Sequence, residues 1–275
     1  MSYRMVIRAT ALAASLCLSM AGTRAFDDAQ YPDLSGQWAR IGEPRFVPEG
    51  QKAPLTPEYR AIFEANLADQ AAGGRGTDPS YTCLPPGMPR SMLAYEPMEI
   101  VVMPEATHIL IDHIHDSRRI FTDGRAWPAD VDPTFAGYSI GRWIDEDGDG
   151  RYDALIVETR NLTGPRVFDT TGLPLHGDNQ TVIKERISLD KNDANLLHDE
   201  ITIIDHALSE PWTVTRSYRR EENPQPVWRE ALCRENNQHV QIGKENYFLS
   251  ADGYLMPAKK DQAAPDLRYF KQPRN

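Results

Sequence analysis

The sequence lacks the short motifs by which many enzymes are recognised. It contains no nucleophile elbow, no Walker loop, no glycine-rich dinucleotide fingerprint and no HExxH pair, so it carries no local signature of those catalytic families. Cysteine is scarce, with three residues, and no stretch after residue 21 is apolar for long enough to span a membrane. A catalytic function would have to depend on residues that the fold brings together.

Basic residues are also fewer than acidic residues. The chain has 30 Lys and Arg residues against 40 Asp and Glu residues, a formal net charge of -10. An excess of negative charge repels phosphate backbones and anionic lipids, which argues against nucleic-acid and membrane-surface partners. It is compatible with a cationic ligand or bound calcium.

The first residues resemble a secretory signal. Arg4 and Arg8 precede an apolar run over residues 9–21, and small residues follow near position 25. We expect residues 1–25 to be removed and the mature protein to be periplasmic or secreted. Residues 26–275 are expected to form a single domain, with a Pro- and Gly-rich N-terminal extension and a polar C-terminal tail.

Two cysteines, Cys83 and Cys233, remain after the signal segment. In an oxidising compartment an even pair predicts one disulfide. Two separate buried thiols are the alternative.

One helix is predicted in the N-terminal extension. Thr56 is a suitable N-cap, Pro57 suits the first helical position, and Gly73 with Gly74 ends the pattern. The apolar residues expected on one face are Tyr59, Ile62, Phe63 and Leu67. A second short helix is expected around Cys233.

From Met98 onward the apolar residues recur with a period of two. The runs are MEIVVMPE, THILIDHI, SRRIFTD, GYSIGRW, ALIVETRN, TVIKERISL, EITIIDH and WTVTRSYRR. Short polar turns separate them, and no helix-sized segment lies between them, which excludes parallel βαβ units. We predict an all-β fold, an antiparallel meander of about eight strands that closes into a lipocalin-like barrel with one or two peripheral helices.

Several segments resemble a known group of proteins. They are PDLSGQW, CLPPGMPR, RRIFTDGR, GYSIGRW, LIVET, IKERI and PWTV, in this order. Together they resemble a large family of uncharacterised exported bacterial proteins. The resemblance implies export and a single domain, and it implies no particular activity. The chain departs from many members where an Asp-rich segment follows GYSIGRW.

That segment, DEDGDGRYD, has the spacing of a calcium loop. Its acidic positions one, three, five and nine are Asp145, Asp147, Asp149 and Asp153. Gly150 stands at the sharp turn, and Arg151 offers its carbonyl at position seven. Position twelve is Ile156, where an EF-hand has a bidentate Glu, and the flanks are predicted strands. We predict a structural calcium clamp at a hairpin, and a solvated acidic turn is the alternative.

Pleat alternation predicts three charged side chains inside the barrel. Glu158, Glu185 and Arg216 each share a strand face with apolar residues. An internal pairing network that fixes the barrel register would explain them. So would a ligand cavity that they line together with Trp212 and Tyr218.

The long connection between residues 162 and 179 suggests a binding loop. It carries His176, which could titrate over the barrel mouth or be an ordinary surface histidine. We therefore expect an exported, calcium-braced barrel that binds a small, largely apolar or aromatic molecule in its interior. The alternative is a hydrolase or lyase that uses Glu158, Glu185, Arg216 and His176, and a structural role without a pocket is a third possibility.

Overall fold

A computed structural model describes residues 26–112, 116–223, 225–228, 239–250, 254–266 and 268. Nine strands form a closed barrel in chain order. They are β1 (Gln37–Arg40), β2 (Met98–Val102), β3 (Ala106–Ile111), β4 (Asp116–Phe121), β5 (Tyr138–Ile144), β6 (Ala154–Arg160), β7 (Val182–Leu189), β8 (Leu196–Ile204) and β9 (Trp212–Arg220). The predicted all-β barrel is confirmed, with one strand more than the eight that alternation indicated.

The additional strand is β1, which closes the barrel between β2 and β9. Trp38 pairs with Met98 on one side and with Arg220 on the other. The Trp38 side chain is fully buried, and its indole nitrogen donates a hydrogen bond to the Leu34 carbonyl at 3.0 Å. Four residues in a Pro- and Gly-rich region are too few to show a period of two, so the sequence gives no signal for this strand.

The barrel is not a pure meander, because β4 and β5 are parallel. Ile120 pairs with Ser139 and Phe121 with Ile140, while the other neighbouring strands of the barrel pair antiparallel. Nine strands alternating in direction would bring β1 and β9 together in parallel, so one parallel step is needed for an antiparallel closure. The connection over residues 122–137 therefore returns along the barrel before β5 begins.

Helix α1 (Pro57–Ala71) begins and ends close to the predicted residues. The Thr56 hydroxyl accepts a hydrogen bond from the backbone N–H of Tyr59, as an N-cap does. The predicted apolar face is only partly covered, because Ile62 is 42% and Leu67 40% exposed. Asn66 is the buried residue of the helix, and its amide donates to the Thr171 carbonyl. A polar contact therefore fastens α1 to the long connection before β7.

Segments outside the strands complete the core. Phe46, Met88, Met92, Leu93 and Phe168 are all buried in the same apolar cluster as the barrel residues. The barrel interior is thus filled partly by side chains that come from its connections.

The remaining elements are short. Three 3-10 turns span Asp28–Gln30, Pro79–Thr82 and Arg90–Leu93, and a separate sheet consists of β10 (His239–Ile242), β11 (Glu245–Leu249) and β12 (Leu255–Pro257). Lys259 after β12 pairs with Asp69 of α1 at 2.6 Å. The expected signal segment, Cys233 and the helix expected around it lie outside the described residues. Among the residues described, no helix is long and apolar enough to cross a membrane.

Candidate functional site

A buried ion pair lies inside the barrel. Arg118 of β4 donates to both carboxylate oxygens of Glu185 on β7, one at 2.6 Å, and the two side chains are 3% and 0% exposed. Arg118 also donates to Thr159 at 2.8 Å, and Ser139 bonds Thr159 at 2.8 Å. Glu185 is buried as alternation predicts, and its partner is Arg118 rather than Arg216. This supports the pairing-network interpretation of the inward charges.

Asp199 of β8 is a third buried charged residue close enough to the pair to interact with it. Its side chain is fully buried, and neither carboxylate oxygen has a hydrogen-bond donor within reach in the described part of the chain. Burial raises the pKa of Asp199 well above its usual range, and the nearby Glu185 carboxylate adds to the rise. Asp199 was not predicted as a site residue, although it alternates with the apolar Leu197 and Ile201 of the same strand.

Two inward residues of β9, Arg216 and Tyr218, contact segments outside the strands. Tyr218 donates from its hydroxyl to the Met92 carbonyl, and Arg216 donates to the carbonyls of Glu43 at 3.2 Å and Phe46 at 3.4 Å. Burial lowers the pKa of Arg216 and raises that of Tyr218.

Trp212, the first residue of β9, also faces the interior. Its ring packs against Phe46 and Phe168 with centroids 5.5 and 5.3 Å apart. Trp212 and Tyr218 were expected to line a ligand cavity. Protein groups from the connecting segments pack against both residues instead.

The prediction that Glu158 faces the barrel interior is wrong. Its side chain is 27% exposed and pairs with Arg160 on the outer face of β6. Leu155, Val157 and Thr159 face the interior instead, and all three are buried. Both faces of this strand carry apolar residues, so alternation alone does not distinguish them.

His176 lies close to a second histidine, His206, that is 30 residues later in the sequence. The Asp178 carboxylate contacts His176 Nδ1 at 3.1 Å and also bonds His206 Nδ1, and the two rings are 5.5 Å apart. The side chain of His176 is 32% exposed, and that of His206 is 69% exposed. Asp178 raises the pKa of His206 by hydrogen bonding and by its charge.

His206 was not predicted as a site residue. The signal that could have found it is the β7–β8 hairpin, because Val182 pairs with Ile204 and so brings the residues before β7 next to those after β8. No contact joins His176 to Glu158, Glu185 or Arg216 among the described residues. The structure thus does not assemble the four residues of the predicted hydrolase or lyase site.

The acidic segment forms the predicted hairpin turn between β5 and β6. One oxygen each of Asp145, Asp147 and Asp149 lie within 4.8 Å of one another. Asp145 accepts from the backbone N–H groups of Gly148 at 2.7 Å and Gly150 at 2.9 Å, which curls the turn around its carboxylate. Asp153 instead accepts from the backbone N–H of Glu146 at 2.6 Å.

This arrangement fits a hard cation in part. Three clustered carboxylates match the oxygen ligands that calcium prefers, although calcium takes six to eight oxygens. Asp145, Asp147 and Asp149 would hold it, and waters or backbone carbonyls such as that of Arg151 would have to supply the rest. Asp153 does not join the cluster.

An apolar cleft lies between α1 and the segments on either side of it. Its volume is about 380 Å³, within the range of small-molecule sites. Its apolar wall consists of Val47, Ala53, Leu55, Phe63, Leu67 and Leu173. Its cationic residues are Arg45, Lys52 and Arg60, all exposed at the surface.

A larger hollow of about 650 Å³ lies between residues 26–36 and β2. Acidic side chains line part of it, namely Asp28, Asp33 and Glu99. The Tyr31 ring of this segment also lines the hollow and packs on Tyr152 at 5.0 Å and on Trp143 at 5.3 Å. Arg151 lines the hollow as well, so its charged residues are three acids and one base.

No protein-family model matches the chain, and no curated protein matches it either. The resemblance to exported bacterial proteins therefore stays a prediction, and a proposal about function depends on the geometry of these sites.

Proposed function

We propose that this protein is an exported binding protein for a small, largely apolar molecule that carries an anionic group. The site is the cleft under α1 rather than the barrel interior, which its own side chains and the Arg118–Glu185 pair occupy. Calcium at the Asp145–Asp147–Asp149 turn and a disulfide between Cys83 and Cys233 belong to the same proposal as structural supports.

The observation that carries the proposal is an apolar cleft with a basic edge in an acidic protein. Leu67 is 40% exposed although it faces the cleft beside Phe63. A bound apolar group would cover both side chains. Full burial of a side chain of this size contributes about 1.5–3 kcal/mol, and these two, already partly buried, would contribute a fraction of that each.

The edge of the cleft supplies the preference for an anion. Arg45, Lys52 and Arg60 outnumber the acidic residues that line the cleft, Glu64 and Asp169. The Asp169 carboxylate is buried and accepts hydrogen bonds from the backbone N–H groups of Phe46 and Thr171. Three cationic side chains line this cleft although the chain has a net charge of -10, and they would attract a carboxylate or sulfonate.

The test uses 8-anilinonaphthalene-1-sulfonate, an aromatic anion whose fluorescence rises on binding. We expect Leu67→Gln to weaken its binding by about tenfold, equivalent to about 1.4 kcal/mol. Ile62→Gln is the matched control, because Ile62 is 42% exposed on the same helix and does not line the cleft. We expect it to leave binding unchanged.

The charge preference is tested separately with Arg60→Gln and Lys52→Gln. Both substitutions should weaken binding of the sulfonate probe more than they weaken binding of an uncharged anilinonaphthalene. Equal effects of Leu67→Gln and Ile62→Gln would contradict the proposed site, and equal effects on the charged and uncharged probes would contradict the anionic group. Mass spectrometry of the molecule extracted from protein purified from its own host would then identify the natural ligand.

A further inference from the structure

Two short segments bring three possible metal ligands together at the surface. His176 and Asp178 come from the end of the connection before β7, and His206 comes from the turn after β8. One potential ligand atom of each residue lies within 4.8 Å of those of the other two. This spacing is compatible with one ion bound by all three, since ligands about 2.0–2.2 Å from a tetrahedral ion lie roughly 3–4 Å apart.

A buried carboxylate fixes the position of both segments. Asp205 accepts hydrogen bonds from the backbone N–H of His176 at 2.9 Å and of Ala207 at 2.8 Å. It also accepts from the Thr181 hydroxyl at 2.6 Å. Asp205 thus joins the residues before β7 to those after β8, and the three side chains are held near each other before any ion binds.

One ring nitrogen of each histidine lies at the Asp178 carboxylate. Nδ1 of His176 accepts a hydrogen bond from the backbone N–H of Asp178 at 3.1 Å and lies 3.1 Å from one carboxylate oxygen of Asp178, and Nδ1 of His206 bonds the other oxygen. The Tyr59 ring of α1 lies against His176, with centroids 5.2 Å apart, and limits the ring to one side. Such support of a ligand ring by its neighbours is usual at metal sites.

The donor set indicates the class of ion. Two imidazoles and one carboxylate are the protein ligands of catalytic zinc sites and of related iron sites, and they suit borderline divalent ions better than calcium. Three protein ligands leave a coordination position for water. We propose that His176, Asp178 and His206 bind one divalent transition-metal ion of the zinc class. This site is independent of the cleft under α1 and of the acidic turn.

The experiment is calorimetric titration of the full chain with zinc after treatment with a chelator, in excess calcium so that the acidic turn does not compete. We expect one zinc ion per chain. His206→Asn and Asp178→Asn should each weaken binding by more than about tenfold, since losing only a residue that supports a ligand costs 10- to 100-fold. His206 is 69% exposed, so its replacement should leave the fold intact.

His198→Asn is the matched control. His198 also contacts one carboxylate, Asp190 at 3.4 Å, and its side chain is 32% exposed, like that of His176. Among the described residues it belongs to no cluster of three possible metal ligands. We expect its zinc affinity to equal that of the parent. A second measurement is the melting temperature, which zinc should raise in the parent and in His198→Asn but not in His206→Asn.

Zinc binding that survives in His206→Asn and Asp178→Asn would overturn the proposal. So would loss of binding in His198→Asn, or no zinc binding by the parent.

Discussion

Removal of Arg118 should destabilise the barrel strongly, because it leaves the Glu185 carboxylate buried without a counter-charge. The two side chains are 3% and 0% exposed, and Arg118 is the guanidinium that bonds both oxygens of Glu185. Breaking a buried pair by removing one partner costs about 3–5 kcal/mol. That is a large part of the roughly 5–15 kcal/mol by which a typical domain is stable.

Arg160→Met is the matched control for Arg118→Met. Arg160 pairs with Glu158 on the outer face of β6, where the side chains are 52% and 27% exposed. An exposed pair contributes about 0–1 kcal/mol. The double variant Arg118→Met with Glu185→Leu should recover most of the loss, because replacing a buried pair by apolar residues is often close to neutral. Ser139 and Thr159 still bond each other in that variant.

The assay is urea unfolding followed by tryptophan fluorescence and circular dichroism, with the free energy of unfolding taken from the midpoint and slope. We expect Arg118→Met to lose at least about 3 kcal/mol and Arg160→Met less than about 1 kcal/mol. Equal losses for the two single variants would refute the argument that burial makes the inner pair important. A double variant as unstable as Arg118→Met alone would show that the cost is not the unpaired Glu185.

Asp199, the acidic turn and the two cysteines can each be tested by a change in stability or a chemical titration. Asp199→Asn should stabilise the protein relative to the parent above about pH 4 and not below it. The pKa of Asp199 is higher in the folded protein than in the unfolded chain, where it is near 3.9. The parent is therefore most stable, with respect to this group, below the unfolded pKa, and it loses that stability as the pH rises through the folded pKa, whereas Asn does not titrate. A difference in unfolding free energy that does not change with pH would contradict this. Chelation of calcium should lower the melting temperature of the parent but not that of Asp147→Ala with Asp149→Ala, and equal melting of the parent with and without chelator would exclude the calcium clamp. Thiol titration of denatured, freshly exported protein should find no free thiol, and two thiols per chain would exclude the disulfide between Cys83 and Cys233.

The sequence predicts β2 to β9 well because each is a short run rich in β-branched and apolar residues between turn residues, and most of these runs alternate apolar and polar residues. It also places Glu185 and Arg216 inside, since each is flanked by apolar residues at a spacing of two. It fails for Glu158, where Leu155 and Val157 on one face compete with Ala154 and Ile156 on the other.

The partners of these residues could not be predicted, because they depend on how the barrel closes. Arg118 reaches Glu185 across the interior from a strand that is not its neighbour, and the adjacent Arg119 is exposed. His206 meets His176 only through the register of β7 and β8. A single sequence specifies strands and faces, whereas contacts across the barrel require the three-dimensional closure.

The parallel pairing of β4 and β5 has a consequence for how the barrel moves. Only two residue pairs join these strands, as few as join β1 and β2, against seven between β5 and β6. Local opening is easiest where the fewest interactions are lost, so amide hydrogens along this boundary should exchange with solvent before those of β6 to β9. Arg118 lies on one side of the boundary and Glu185 on the other. The buried ion pair therefore links strands on the two sides of this boundary, and breaking it should speed amide exchange there.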